Sequence, residues 1–389
     1  MTSPPLRERP ARPVYARRAT AAVFFANGAG FGIWAAHIPL LKTGLDLSEG
    51  ELGLALLMMA AGAVATMPLV GRWAVRAGSR PTVAAAGFAF AALLAVPPLA
   101  PGLGALMLAC LLLGAANGAL DVAMNTHATA VERAWRRPIM SGFHAFYSLG
   151  GLAGAGAAGA AIASGLGPAP TMAAAAAALV LAVGVANLFL PVATPPAVPG
   201  AGFARPRGPV LRLGILAVLG FFAEGSLIDW CAVYLVERVG TSPAAGASGY
   251  AAFSLAMTAG RLTGDRIAAR LGPARTLAGS AALAAAGLAL AIAVPHPVFA
   301  PAGFAVAGLG LANIVPLLFG QAARIPGVAP GAGVAMVAVF GYAGALAGPP
   351  LIGFAAEGIG LRAALGTLVA AAVLGGLLVP WAIGRDRYR

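Results

Sequence analysis

The chain has 389 residues, 60% of them hydrophobic and only 10% charged, with a formal net charge of +13. A soluble domain carries about 25% charged residues, so this composition excludes an ordinary cytosolic enzyme, a disordered chain and a disulfide-stapled secreted scaffold. The basic excess does not mark a nucleic-acid binder: it is almost all Arg, set in short connections between apolar runs, with no basic face interleaved with aromatics. In chain order, residues 1–18 are polar and Arg-rich and are expected as a cytoplasmic tail. The apolar run behind them is about 23 residues long, too long for the core of a signal peptide. Twelve such runs follow one another, each long enough to cross a bilayer as a helix. The first six are 19–41, 51–71, 81–100, 103–126, 139–163 and 170–191. A Pro, Gly and Arg-rich stretch then reads as a cytoplasmic linker, 192–210. The second six are 211–236, 246–268, 274–294, 297–321, 332–356 and 362–384, before a cytoplasmic tail at 385–389. The expected fold is an all-α membrane protein of twelve transmembrane helices in two pseudo-symmetric bundles, 19–191 and 211–384.

Alternate connections differ in charge. One set holds 21 Arg, among them Arg72, Arg76, Arg80, Arg133, Arg136, Arg266, Arg270, Arg275 and Arg324; the other holds only Lys42, Arg238 and Arg362. The positive-inside rule then places both termini in the cytoplasm. Cys110 and Cys231 each lie inside an apolar run with no metal-like spacing, and read as small buried hydrophobes.

The halves echo each other at an offset of 194–197 residues. Phe24-Phe25-Ala26-Asn27-Gly28 answers Phe221-Phe222-Ala223-Glu224-Gly225. Gly114-Ala115-Ala116-Asn117 answers Gly310-Leu311-Ala312-Asn313. Arg76 and Gly78 fall opposite Arg270 and Gly272, and Gly154 opposite Gly348. A six-plus-six repeat is the layout of transporters that bind solute between their halves near the membrane midplane.

Polar residues inside the spans are the informative ones, because a charge at the bilayer centre costs at least about 2.5–3.5 kcal/mol. Asn117, Asp121 and Asn125 recur at i, i+4 and i+8 and lie within about 80° of one another, one stripe on the fourth helix. The stripe reads either as a protonation and solute site or as polar glue between helices. In the seventh span Glu224 and Asp229 are about 140° apart, so one is expected in a cavity and the other against a neighbouring helix. Trp230 reads equally as a sugar-stacking platform or as part of an interfacial aromatic belt. His144, followed by Tyr147 and Ser148, reads as a coupling group or a hydrogen-bonded structural His. Arg261 needs an acid partner, for which Asp265 one turn on is the expected one, or must snorkel. Asn27, Trp34 and His37 in the first span are further cavity candidates, and Asn313 joins them through the repeat. The Gly-rich stretches 150–159 and 341–353 read as close helix packing, and Pro349-Pro350 is expected to bend or break the eleventh helix.

These stretches resemble the major facilitator superfamily over nearly the whole chain, and in particular its fucose-permease-like branch and the bacterial YbjJ-type inner-membrane proteins. The resemblance is carried by Phe222-Ala223-Glu224-Gly225-Ser226 leading to Asp229-Trp230, and by Gly142-Phe143-His144 leading to Tyr147-Ser148-Leu149-Gly150. Ala130-Val131-Glu132-Arg133 and Gly348-Pro349-Pro350-Leu351-Ile352-Gly353 add to it. It implies alternating access and proton coupling, with Asp121 and Asn125 matching an acid and an Asn of the fucose symporters' fourth helix. Their first-helix acid is replaced here by Ala35, so sugar specificity does not carry over. The superfamily's loop between helices two and three corresponds to Gly71-Arg72-Trp73-Ala74-Val75-Arg76-Ala77-Gly78-Ser79-Arg80. Val75 stands where the family has Asp, and Ala269 where the second copy would. Arg72, Arg76, Gly78, Arg270 and Gly272 remain as a gating loop without its usual acid.

The sequence therefore predicts a proton-coupled secondary transporter of a small polar solute, with an effluxer of drugs or metabolites as the alternative. Proton coupling is assigned to Asp121 and Glu224. Solute binding is assigned to Asn27, Trp34, Asn117, Asn125, His144, Asp229, Trp230 and Asn313. The expected partners are a small-molecule solute, protons and membrane lipid; a monomer is expected, with no nucleic acid, no metal and no organic cofactor. No protease or hydrolase motif sits on a helix, so an enzyme is not expected.

Overall fold

The computed structural model describes residues 13–136, 139–191, 208–326, 328 and 330–383. The first half holds α1 (Pro13–Gly44), α2 (Glu49–Ala77), α3 (Ser79–Leu94), α4 (Leu103–Trp135), α5 (Met140–Ala163) and α6 (Pro168–Phe189). The second holds α7 (Pro209–Glu237), α8 (Pro243–Leu271), α9 (Pro273–Ala293), α10 (Phe299–Leu311), α11 (Ile314–Ala322), α12 (Pro330–Ile359) and α13 (Leu361–Ile383). Residues 192–207 of the expected linker, 1–12 of the first tail and the last tail lie outside the described residues.

Among the described residues eleven segments are long and apolar enough to cross a membrane, α10 and α11 together forming one of them. The twelfth crossing is α8, which falls short on hydropathy because Gly, Ser, Tyr and Thr dilute its charge-free first part and Arg261, Asp265, Arg266 and Arg270 follow. Twelve crossings thus stand where twelve runs were expected, with two differences in detail. The tenth is interrupted at Ala312-Asn313. The eleventh, α12, stays one helix through Pro349 and Pro350. Large apolar side chains such as Leu181, Leu188 and Leu377 are about 70% exposed on the outside of the bundle, a surface that only lipid covers favourably.

Local chemistry repeats with the sequence. Ser48 caps α2 by accepting from the Glu51 backbone N–H, with Glu51 returning the bond to the Ser48 N–H. Ser242, 194 residues later, caps α8 by accepting from the Ala245 N–H. Gly78 and Gly272 join α2 to α3 and α8 to α9 at φ 89° and 79°, a region that suits glycine. Behind each, a Thr hydroxyl donates to that glycine's carbonyl: Thr82 at 2.7 Å and Thr276 at 2.8 Å. The same two turns are therefore built twice.

Within the first half α1 packs on α5 and α2 on α4; within the second α7 packs on α12 and α8 on α10. The α1–α5 contact is glycine against backbone. A Cβ on Gly28 would fall on the Tyr147 carbonyl, on Gly32 the Gly151 carbonyl, on Gly150 the Phe25 carbonyl and on Gly154 the Ala29 carbonyl. Small residues four apart on both helices allow this approach. Gly156 faces open space, so it is not part of the packing expected of that stretch. The halves meet along α5 with α8 and α2 with α12.

Candidate functional site

A cavity of about 960 Å³ lies between the halves. Its walls are the middles of α1, α2, α4, α7 and α12, the later part of α8, the first two turns of α5, and α11. The parts from α5, α8 and α11 extend it from mid-depth toward the end that carries the α2–α3 and α8–α9 turns, here termed the basic end. Arg72, Arg76 and Arg270 are exposed there and join no ion pair among the described residues.

The opposite end is closed by contacts between the halves. Lys42 Nζ lies 2.7 Å from Glu237 Oε1, and Arg238 Nη2 lies 3.2 Å from Glu49 Oε1. Glu357 Oε1, at the end of α12, accepts from Ser48 Oγ at 2.7 Å and from the Gly50 N–H at 3.1 Å. A carboxylate thus sits on the first turn of α2, where the helix dipole and its free N–H groups favour an anion.

Three polar groupings occupy mid-depth. Asn27 Nδ2 on α1 donates to Asn117 Oδ1 on α4 at 2.9 Å. Asp121 accepts from Asn125 Nδ2 at 3.0 Å on its own helix and from Tyr342 Oη at 3.0 Å on α12, in the other half. Arg261 Nη2 donates to Glu224 Oε1 at 3.2 Å, while its Nη1 crosses to the first half and donates to Ser148 Oγ at 2.7 Å and the His144 carbonyl at 3.4 Å. The halves are therefore linked at cavity depth by bonds of two opposite kinds, a carboxylate taking a phenol and a guanidinium giving to a hydroxyl and a carbonyl.

The structure brings together Asn27, Asn117, Asp121, Asn125, His144, Glu224, Asp229 and Asn313, all on the cavity wall. Trp34 and Trp230 are not among them. Both are buried, 2% and 0% exposed, and their indole N–H groups have no partner. Trp34 shares the face of Asn27 but lies about 10 Å further toward the closed end. Trp230 stands one step, 100°, round α7 from Asp229, turned into the bundle. It is neither a cavity platform nor a member of an exposed aromatic belt. Two pairings also differ from expectation. Arg261 takes Glu224, not Asp265. Glu224 and Asp229 both face the cavity, because Phe221, Glu224, Gly225, Ile228 and Asp229 form one stripe about 140° wide with the two acids at its edges.

Tyr342 was missed by the sequence reading. The signal was available: at the offset of 194 that relates Gly154 to Gly348, Tyr342 falls opposite Ser148, which also bonds across the halves at cavity depth. Pro316 has no N–H to give the Ala312 carbonyl, which interrupts the helix between α10 and α11 beside Asn313. Asn313 Nδ2 donates to the buried Gly260 carbonyl at 3.2 Å, and its side chain fills the space a Cβ on Gly264 would need. Pro349 and Pro350 leave the carbonyls of Ala345 and Leu346 without helical donors. Both of those residues line the cavity, where water can satisfy them, so α12 continues.

A sequence profile described as "Major Facilitator Superfamily" matches residues 20–325. An uncharacterised MFS-type transporter of Yersinia pestis is 37% identical over 347 residues, covering 89% of this chain and 90% of that protein. The membrane protein MosC of Rhizobium meliloti is 36% identical over 356 residues, covering 92% and 87%. Among solved structures, a bacterial homolog of the human lysosomal transporter Spinster, inward-facing and unoccupied, superposes with TM-score 0.75 at 14% identity, covering 95% of this chain and 97% of that one. A variant of the nucleoside transporter NupG gives 0.78 at 14% identity, covering 95% and 100%. At that identity these two speak for the fold alone.

Proposed function

Because the chain belongs to the Major Facilitator Superfamily, a family of multi-pass membrane transporters, we propose that it moves a small polar solute across the bacterial inner membrane by proton-coupled alternating access. In this reading both termini and the basic end face the cytoplasm, and the structure is the inward-open state. Its branch within the family is the fucose-permease-like one, without the sugar specificity. Solute binds at mid-depth among Asn27, Asn117, Asn125 and Glu224.

The observation that carries the coupling is the position of Asp121. Its carboxylate accepts from Tyr342 in the other half, with Asn125 beside it and Tyr147, Glu224 and Arg261 on the same cavity wall. A hydrogen bond to an ionised acceptor is roughly twice as strong as one between neutral groups. Protonation of Asp121 therefore loosens a link between the halves and removes a charge that a closing, drying cavity would have to bury. The proton and the conformational change are tied at one atom pair. In proteoliposomes, Asp121→Asn abolishes uptake driven by a pH gradient while leaving solute exchange at equal pH intact. Full driven uptake in that variant would remove the role.

The second reading, efflux of lipophilic compounds, draws support from one feature, the packed rings of Phe221, Phe319 and Tyr342 in the second half. Phe221 lies 6.4 Å from Phe319 and 5.8 Å from Tyr342 between centroids. It requires that loss of the gene sensitise cells to lipophilic drugs.

A further inference from the structure

We infer that the transported solute is an organic cation, a small molecule bearing a protonated amine or a quaternary ammonium group. The inference rests on the transport reading of the cavity and adds the sign of its ligand. Among the described residues the cavity is lined by four carboxylates, Asp121, Glu224, Asp229 and Asp265, against one guanidinium, Arg261.

The pairing of those charges decides which remain for a ligand. Arg261 is committed on both of its terminal nitrogens, to Glu224 and to Ser148 with the His144 carbonyl. It neutralises Glu224 and offers no free fork to an anion. Asp121 is met only by neutral donors. Asp229 and Asp265 have no hydrogen-bond or ion-pair partner among the described residues; Asp229 is half-buried, about 7.5 Å along α7 from Glu224 toward the closed end, and Asp265 is exposed. A half-buried carboxylate without a donor is costly unless it takes up a proton or something supplies positive charge, and a cationic ligand does the latter.

The rings give an independent argument for the same sign. Phe221, Phe319 and Tyr342 form a cluster whose Tyr342 hydroxyl already touches Asp121. Aromatic faces beside carboxylates suit an ammonium group, which gains from ring quadrupoles when it is drawn out of water. A neutral sugar gains nothing from unpaired carboxylate charge, and an anion is repelled by it. The Asn side chains of the first half supply hydrogen bonds to the body of the solute.

The test is thermal stabilisation of the purified full-length protein by charge-matched pairs. These are choline against 3,3-dimethylbutan-1-ol, glucosamine against glucose and putrescine against butane-1,4-diol, with glucuronate as the anion. At least one cation is expected to stabilise where its neutral isostere does not. Asp229→Asn is expected to raise the half-saturating concentration of that cation roughly 10- to 100-fold, the loss of one charge-assisted bond, and Asp229→Glu to restore it. Should the Asn variant melt below wild type without ligand, Asp265→Asn is read in its place, with the same direction expected. Equal stabilisation by a neutral isostere, stabilisation by glucuronate, or none by any of the three cations overturns the assignment. Flux is a separate arm. A cation that binds but is not carried into proteoliposomes removes the transport reading and leaves the charge assignment standing. Driven uptake of a neutral solute that no cation inhibits does the reverse.

Discussion

Arg261 holds acceptors from both halves, and its loss has a consequence that the loss of Glu224 can offset. Arg261→Ala leaves Glu224 charged and unpaired in a membrane-embedded cavity, which lowers stability by about 1–3 kcal/mol given that the pair borders water. The double variant Arg261→Ala/Glu224→Gln removes the stranded charge as well. It is expected to melt above the single variant, and an equal or lower melting temperature would show that Glu224 does not depend on Arg261. At this scale helical spacing found Asp121 with Asn125 but misled for Arg261, whose expected partner one turn on, Asp265, gives way to Glu224 of another helix. Asp121 and Asn125 are four residues apart, so helical spacing alone puts them on one face and in contact. Arg261 with Glu224 and Asp121 with Tyr342 join different helices, and their meeting depends on helix rotations that no single-chain periodicity contains. Trp34 was read as a cavity residue for a related reason. Helical spacing gives its face correctly but not how far up that face the cavity reaches.

The glycine-lined contact of α1 with α5 makes a sharp contrast between neighbouring positions. A side chain on Gly154 meets the backbone of Ala29, which cannot yield as a rotamer would, whereas one on Gly156 meets nothing within 4 Å. Gly154→Val is expected to cost more than the about 1–3 kcal/mol typical of overpacking and to reduce the folded yield. Gly156→Val is expected to leave melting within about 0.5 kcal/mol. Comparable losses in both would mean that helix propensity, not contact, governs the segment. Hydropathy located the crossings because lipid imposes their length and polarity. It did not see the interruption at Ala312-Asn313, because hydropathy averages over Pro316, which removes the donor for the Ala312 carbonyl. Nor did it see that α12 tolerates two prolines, because that tolerance comes from the cavity beside it.

The two halves and the alternation of their connections are written in the sequence by charge asymmetry and by the repeat, but the state of the molecule is not, since one sequence serves every state of a transport cycle. In the structure described here that state is held by the contacts of Lys42, Glu237, Glu49, Arg238, Ser48 and Glu357 at the closed end. Lys42 and Glu237 are the more buried ion pair of the two there, with side chains 11% and 23% exposed. Lys42→Met is expected to move the balance toward the oppositely open state by about 1 kcal/mol, roughly fivefold in the ratio of states. Spin labels at Arg76→Cys and Arg270→Cys would report it as a gain in the shorter distance, and an unchanged distribution would show that packing of α2 on α12 suffices. The cavity volume has one more consequence. Space of about 960 Å³ holds on the order of 30 waters, and in the proposed alternating-access cycle all but those around the solute leave as the basic end closes. Closure is therefore work against the activity of water. Polymers too large to enter, added on that side, should draw the cavity shut by osmotic stress, while small osmolytes that share the space should not. The membrane's water balance then acts on the carrier directly, without any ligand.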